Sequence, residues 1–167
     1  NSVSMGDGIY KSTDGGQTWK NIGLTDSHHI SKILVNPKNS QEIVVGVAGH
    51  LYTKNKERGV FKTTDGGKSW QQVLFVNDET GVIDMAVAES NFTVMYASAW
   101  QKDRKAHNFN GNGKASGIYK STDAGLTWQL ISTPESGFPS DEFVGRIGLS
   151  AFTSDIIYAV MDNQKMR

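Results

Sequence analysis

The chain has 167 residues, enough for one well-buried domain and too few for two ordinary ones. Its 17 Lys and Arg balance 17 Asp and Glu, which leaves neither the basic face of a nucleic-acid binder nor the cationic clusters of a membrane-surface protein. Cysteine is missing, so disulfides, thiolate metal sites and a cysteine nucleophile are excluded together, and no run nears the roughly 18 apolar residues of a membrane span.

The first predicted element is a hairpin over residues 1–24, centred on Gly8-Ile9-Tyr10-Lys11-Ser12-Thr13-Asp14-Gly15-Gly16-Gln17-Thr18-Trp19. A crossover at Thr25-Asp26-Ser27-His28-His29 leads to an alternating strand over 30–36, a turn at Pro37-Lys38-Asn39-Ser40 and a nearly continuous apolar strand over 42–49. After a loop over 50–58 the opening hairpin recurs as Gly59-Val60-Phe61-Lys62-Thr63-Thr64-Asp65-Gly66-Gly67-Lys68-Ser69-Trp70. The unit then repeats with a crossover over 77–81, strands over 82–88 and 94–100, and a long loop over 101–116. The third copy of the hairpin is Gly117-Ile118-Tyr119-Lys120-Ser121-Thr122-Asp123-Ala124-Gly125-Leu126-Thr127-Trp128. A crossover over 134–143 and two more strands, over 144–150 and 156–161, complete the series.

Each hairpin copy is chemically a strand, a tight turn and a strand. Its opening residues alternate as a half-buried strand does. The aspartate accepts backbone N–H bonds from the turn that follows it, and glycine takes the positive φ the turn needs. The tryptophan lands on the returning strand, where it fills the gap between neighbouring sheets. Asp14, Gly16 and Trp19, Asp65, Gly67 and Trp70, and Asp123, Gly125 and Trp128 are therefore read as structural. One aspartate repeated per unit cannot converge on a single catalytic or calcium site.

The copies recur at roughly 50–60 residues, a little above a four-stranded propeller blade. The fold expected is all-β: a β-propeller segment of four-stranded antiparallel blades, two of them full and two half. The units are a hairpin over 1–24, full blades over 30–76 and 82–132, and a half-blade over 143–162. Propellers close with about 4–8 blades, so three blades' worth of strands calls for the remaining blades of a longer parent chain, or for a second copy completing a ring.

The pattern Ser/Thr-x-Asp-x-Gly-x-Thr/Ser-Trp resembles the Asp-box (BNR) repeat of sialidases, xyloglucanases and the sortilin ectodomain. The chain as a whole resembles bacterial exported BNR-repeat proteins labelled glycosyl hydrolases, which are similar to that ectodomain. The segments that carry this are Asp26-Ser27-His28-His29-Ile30, Gly49-His50-Leu51, Glu57-Arg58-Gly59-Val60, Asp78-Glu79-Thr80-Gly81 and Ala99-Trp100-Gln101. The resemblance implies a longer propeller and an extracytoplasmic (periplasmic or secreted) location. The hydrolase label rests on the repeat, which is architectural, and fold alone does not carry an activity.

With strands A to D in each blade, the A–B and C–D turns lie on one face and the B–C loops and D-to-A crossovers on the other. Every unusual stretch belongs to the second face. The ligand-binding candidates there are His28, His29, His50, Arg58, Asp78, Trp100, Arg104 and His107. The histidines suit a transition metal, with Asp26 or Asp78 as an oxygen ligand. Adjacent His28 and His29, however, point to opposite sides of an extended segment, so neither a metal nor a cofactor is expected. The function expected is a ligand-binding or scaffold module for a glycan or peptide, with no nucleic acid and no membrane insertion. The alternative is part of a glycoside hydrolase acting on polysaccharide through a carboxylate pair about 5–10 Å apart, one carboxylate coming from Asp26, Asp78, Glu79, Asp103, Asp141 or Glu142 and its partner from the remaining blades.

Overall fold

The computed structural model describes residues 4–89 and 91–166. A short hairpin, β1 (Tyr10–Lys11) and β2 (Lys20–Asn21), comes first. Next is an antiparallel sheet of β3 (Ile30–Asn36), β4 (Asn39–Val47), β5 (Gly59–Thr63) and β6 (Gln71–Leu74), hydrogen-bonded in chain order. Strands β7 (Thr80–Ala88) and β8 (Asn91–Gln101) open a second such sheet. A small inserted hairpin follows, β9 (Asp103–Lys105) and β10 (Asn108–Asn110). Strands β11 (Gly117–Ser121) and β12 (Gln129–Leu130) complete the second sheet, and β13 (Val144–Ala151) and β14 (Ile157–Asn163) form a final pair. This is the all-β propeller segment expected, two full and two half blades. The inserted hairpin is the addition: the polar stretch read as a loop over 101–116 contains a paired element.

The two middle strands explain why their sequences run apolar without a break. Along β4, Ile43, Val45 and Val47 pack with Ile9 of the first hairpin, while Val44 points the other way into a cluster with Val60, Val82, Met85, Met95 and Ala97. Along β8, Met95 and Ala97 enter that same cluster, whereas Val94 and Tyr96 join Ile118, Val144 and Ile147 on the opposite side. Side chains alternate between the faces of a strand. A strand with a neighbouring sheet on both faces therefore buries every residue, and the cores lie between blades rather than within them.

Polar bridges cross the same interfaces. Ser31 Oγ donates to Val82 O at 2.7 Å and Ser98 Oγ to Ile147 O at 2.8 Å. Asp84, inside β7, accepts the N–H of Leu149 at 2.9 Å, so this strand carboxylate ties two blades together. The repeat lysines do similar work. Buried Lys62 donates to Glu42 Oε1 and to Ala124 O, both at 2.6 Å, and Lys120 donates to Ser154 O at 3.1 Å. Each reaches a turn of the following unit. Sequence reasoning assigned these lysines no role, although lysine at this place in all three copies was the available signal.

The repeated turns have one geometry. In the second copy Asp65 Oδ1 accepts Thr63 Oγ1–H at 2.7 Å, Lys68 N–H at 2.9 Å and Ser69 N–H at 3.0 Å, while Oδ2 accepts Ser69 Oγ–H at 2.6 Å. Asp123 has the same set from Ser121, Leu126 and Thr127, and Asp14 is held by Ser12 and Thr18. These donors stabilise the carboxylate anion: Asp123 is lowered to about 2, with the Thr127 hydroxyl as the largest cause, and Asp14 and Asp65 also lie well below the usual range.

The tryptophans differ in what they do. Trp70 Nε1 donates to Ile22 O of the preceding hairpin at 2.8 Å, and Trp128 packs on the cluster around Val44 and Met95. Trp19 is 61% exposed. The opening glycine of the repeat also finds its reason. Gly59 has φ +110, and a Cβ there would sit 1.9 Å from Leu74 O; Gly8 meets Gly23 O in the same way at 2.2 Å.

Candidate functional site

The B–C loops and crossovers form one connected band, because each loop hydrogen-bonds to the crossover before it and to the crossover, or the strand start, that follows it. His50 Nε2 donates to Asp26 O at 2.8 Å, Asn55 N–H to Asp78 O at 3.1 Å, Lys102 N–H to Glu79 O at 3.2 Å, and Gly113 N–H to Val144 O at 3.0 Å. Short 3-10 turns at Thr25–Ser27 and Pro134–Ser136 shape two of the crossovers.

Three of the four histidines meet at one end of this band. The His28 and His50 rings stack at 3.6 Å with 12° between planes, and His29 lies edge-on to His28 at 6.4 Å. Both nitrogens of His50 are engaged, since Thr53 Oγ1 donates to Nδ1 at 3.3 Å. His29 Nδ1 donates to Gly49 O at 2.8 Å, and its Nε2 is buried without a partner. His28 takes φ +55 to enter the stack, and burial, then His50 and His29, hold its pKa below the ordinary imidazole value. Among the described residues no three His, Asp or Glu side chains gather as metal ligands would. A cavity of about 420 Å³ opens beside the rings, bounded by Gly6, Gly8, His28, His29, Ile30 and Ile83. His107 lies apart, exposed between β9 and β10.

Arg58, a candidate ligand contact, is 1% exposed and is occupied by backbone. Its Nη1 donates to Ala48 O and Glu79 O at 3.0 and 3.3 Å, and its Nη2 to His50 O and Thr53 O at 2.8 and 3.1 Å. It holds the loop over 48–58 against the crossover over 77–81, and burial lowers its pKa.

The inserted hairpin builds the second cluster. Trp100 Nε1 donates to Gly111 O at 2.7 Å, and its ring meets Phe109 edge-on at 6.1 Å. A Cβ at Gly111 would lie 2.8 Å from the Phe109 ring, so glycine permits the two aromatics to close over the backbone. Lys102 Nζ lies 5.2 Å from the Trp100 ring centre and Arg104 lies 5.5 Å from that of Phe109. Phe109 remains 48% exposed. Lys102 was not singled out from the sequence, yet it is 7% exposed.

Several carboxylates of the face are already committed. Glu79 accepts Lys54 Nζ at 2.7 Å and Gln101 Nε2 at 3.2 Å, and these bonds lower its pKa. Asp103 pairs with Lys105 at 3.4 Å, and Asp141 Oδ1 accepts Phe143 N–H at 3.0 Å. Asp26, Asp78 and Glu142 are exposed. A larger cavity, about 800 Å³, lies on the other face, between the first two repeated turns and beside Trp19 and Trp70.

The architecture has known relatives. The GH74 enzyme of Niastella koreensis superposes over 94% of this chain with a TM-score of 0.57 at 19% identity. The GH74 xyloglucanase of Xanthomonas campestris does so over 85% with a TM-score of 0.55 at 17% identity. The chain spans only 27% and 22% of those two structures, and at these identities the likeness is one of fold. No curated protein sequence matches it. The Sortilin-Vps10 family, described as sortilin, neurotensin receptor 3, matches residues 7–165. The chain belongs to the Sortilin-Vps10 family of β-propellers.

Proposed function

We propose that this chain is a ligand-binding propeller module whose band of B–C loops and crossovers holds a glycan or an extended peptide. The observation that carries the reading is the aromatic and cationic ladder on the inserted hairpin: Lys102, Trp100, Phe109 and Arg104 in contact, with the Phe109 ring 48% exposed. An exposed ring held by its neighbours is suited to stacking on a sugar face or an aromatic side chain at little entropic cost. Exposed Asn108 and Asn110 flank it with hydrogen-bonding groups. The repeated turns supply the frame, and their aspartates are spent on their own backbones.

The reading as part of a glycoside hydrolase is supported by the fold of the GH74 relatives. It needs two carboxyls free to act on a glycosidic bond, and of the six candidates Glu79 is held by Lys54 and Gln101 and Asp103 by Lys105. We therefore place binding ahead of catalysis. Among the described residues β14 pairs only with β13, and Tyr158 and Val160 on one of its faces are 66% and 74% exposed, so its open edge and bare face suit pairing and packing with further blades, either of a longer parent or of a second copy. An exported location accords with both readings.

Calorimetric titration of a xyloglucan oligosaccharide, and of a peptide library in parallel, tests the proposal. Phe109→Ala is expected to weaken binding about tenfold, the loss of roughly 1–1.5 kcal/mol of stacking. Equal affinity for the variant and the parent protein, for every ligand that binds, would refute the site. Reducing ends released from xyloglucan by the chain would favour the hydrolase reading.

A further inference from the structure

Among the described residues β1 pairs only with β2 and β14 only with β13, whereas in both full blades the second strand pairs with the third. The blades fix the register in which these two open edges would meet. Each inner pair starts alike, Ile30 opposite Val47, Val82 opposite Ala99 and Val144 opposite Asn163, and each then carries the same irregularity before Ile33 meets Val45, Met85 meets Ala97 and Ile147 meets Met161. Val47 and Ala99 pair in turn with Gly59 and Gly117, the opening glycines of the repeated hairpin. By the same register Asn163 falls opposite Gly8, Met161 opposite Tyr10 and Val160 opposite Lys11.

The faces match as the edges do. Val44 and Tyr96 point to the next blade, onto Val82 and Met85 and onto Val144 and Ile147. Val160 holds the equivalent position, and it is bare together with Tyr158. On β3, Ile33 and Val35 lie opposite Val45 and Ile43, on the side of the first hairpin, and are half-exposed. An open apolar groove of about 350 Å³ also runs between the second sheet and the last pair, lined by Ile118, Ile131, Phe138, Ile157 and Ala159. Its counterpart one blade earlier, built on Ile9, Ile22 and Ile43, is covered by Phe61 and Trp70. The residues at those repeat positions in the first hairpin are Tyr10 and Trp19, both exposed. Trp19 Nε1 donates to Gly16 O at 3.0 Å as Trp128 Nε1 does to Gly125 O at 3.1 Å, so the two rings share one pose.

We propose that two copies of this chain associate, β14 of each pairing with β1 of the other, so that every half-blade becomes whole. Tyr158 and Val160 of one copy cover Ile33 and Val35 of the other, and Tyr10 and Trp19 enter the open groove. Joints between unlike surfaces close into a ring or run on as a filament. Two copies give six blades, within the about 4–8 of a closed propeller. The end of β14 at Asn163 then walls the cavity beside His28 and His29 where Gly6 and Gly8 border it. In the dissociated chain Trp19 stays exposed and its ring contributes only at the joint. The association stands whatever ligand Phe109 faces.

Light scattering on a sizing column, over a range of concentrations, reads the mass. A discrete two-chain species is expected at high concentration, returned to monomer by Val160→Lys, a change at a side chain exposed in the single chain. Since the chain has no cysteine, an introduced pair reports the register. Lys11→Cys with Val160→Cys is expected to give a covalent dimer on oxidation, and Lys11→Cys with Ala159→Cys, on opposite faces, is not. A monomer at every concentration would overturn the proposal and leave the open edges to further blades of a longer chain. A dimer indifferent to Val160→Lys, equal cross-linking of the two cysteine pairs, or a mass that climbs past two chains would overturn it as well.

Discussion

At Asp65 two hydroxyls and two backbone N–H groups converge on one carboxylate, and the consequence is a pH dependence with a definite sign. The folded pKa of each turn aspartate lies below its unfolded value of 3.8. The stabilisation is thus complete above about pH 4 and is lost as pH falls through the folded values, near 2 for Asp123. Asp65→Asn keeps the shape and removes the charge. It should lower the melting temperature at pH 7 and flatten the fall in stability between pH 4 and 2, read by circular dichroism. An acid-unfolding curve identical to the parent's would contradict the role given to these bonds. The third turn adds an internal control, because Ala124 stands at φ +58 where the other copies have glycine. Ala124→Gly relieves a left-handed strain of about 1–2 kcal/mol against a glycine entropy cost of about 0.5–1, so denaturant unfolding should show a gain of roughly 0.5 kcal/mol. Loss of stability would mean that the turn is not strained.

At the scale of the element, what the sequence made legible was what repeats. Three copies of one hairpin announced strand, turn and strand, and the apolar run over 42–49 announced a strand, whose burial on both faces the structure then adds. The pairing of β9 with β10 was not legible, because Asp103 to Asn110 is polar and lacks alternation; its order comes from Trp100 and Phe109 closing over Gly111, a contact that no local pattern encodes. Strand limits also moved by a few residues, with β7 starting at Thr80 where an isolated bridge from Asn77 initiates pairing. The repeat tryptophans look alike in sequence but not in packing, which yields a paired prediction. Trp70→Ala removes a ring lodged against the first hairpin and should cost about 3 kcal/mol, the lower end for a large aromatic. Trp19→Ala, at an exposed ring, should cost less than about 1 kcal/mol. Equal costs in urea unfolding would contradict the inter-blade role of Trp70.

For the whole molecule, the division of labour between two faces was readable from strand order alone, since antiparallel blades put B–C loops and crossovers at the same end. Which loop residues would be buried was not. Arg58, a ligand-binding candidate, and Lys102, which drew no reading, both fall in predicted loops, and both are interior, one serving four carbonyls and the other lining a small cavity. Such outcomes depend on which loops meet, and that is decided by the angle between blades. Trp100, Phe109 and Arg104 do come together, while His107 stands away from the other histidines. The large cavity by the repeated turns keeps the two faces in competition as binding surfaces.

Amide hydrogen exchange with and without the oligosaccharide or peptide that binds would decide between the faces most directly. The account predicts added protection in residues 101–113 and 48–58, with exchange in the turns over 12–18 and 63–69 unchanged. Protection confined to those turns and to β2 and β6 would contradict it, and would move the binding surface to the cavity between Trp19 and Trp70.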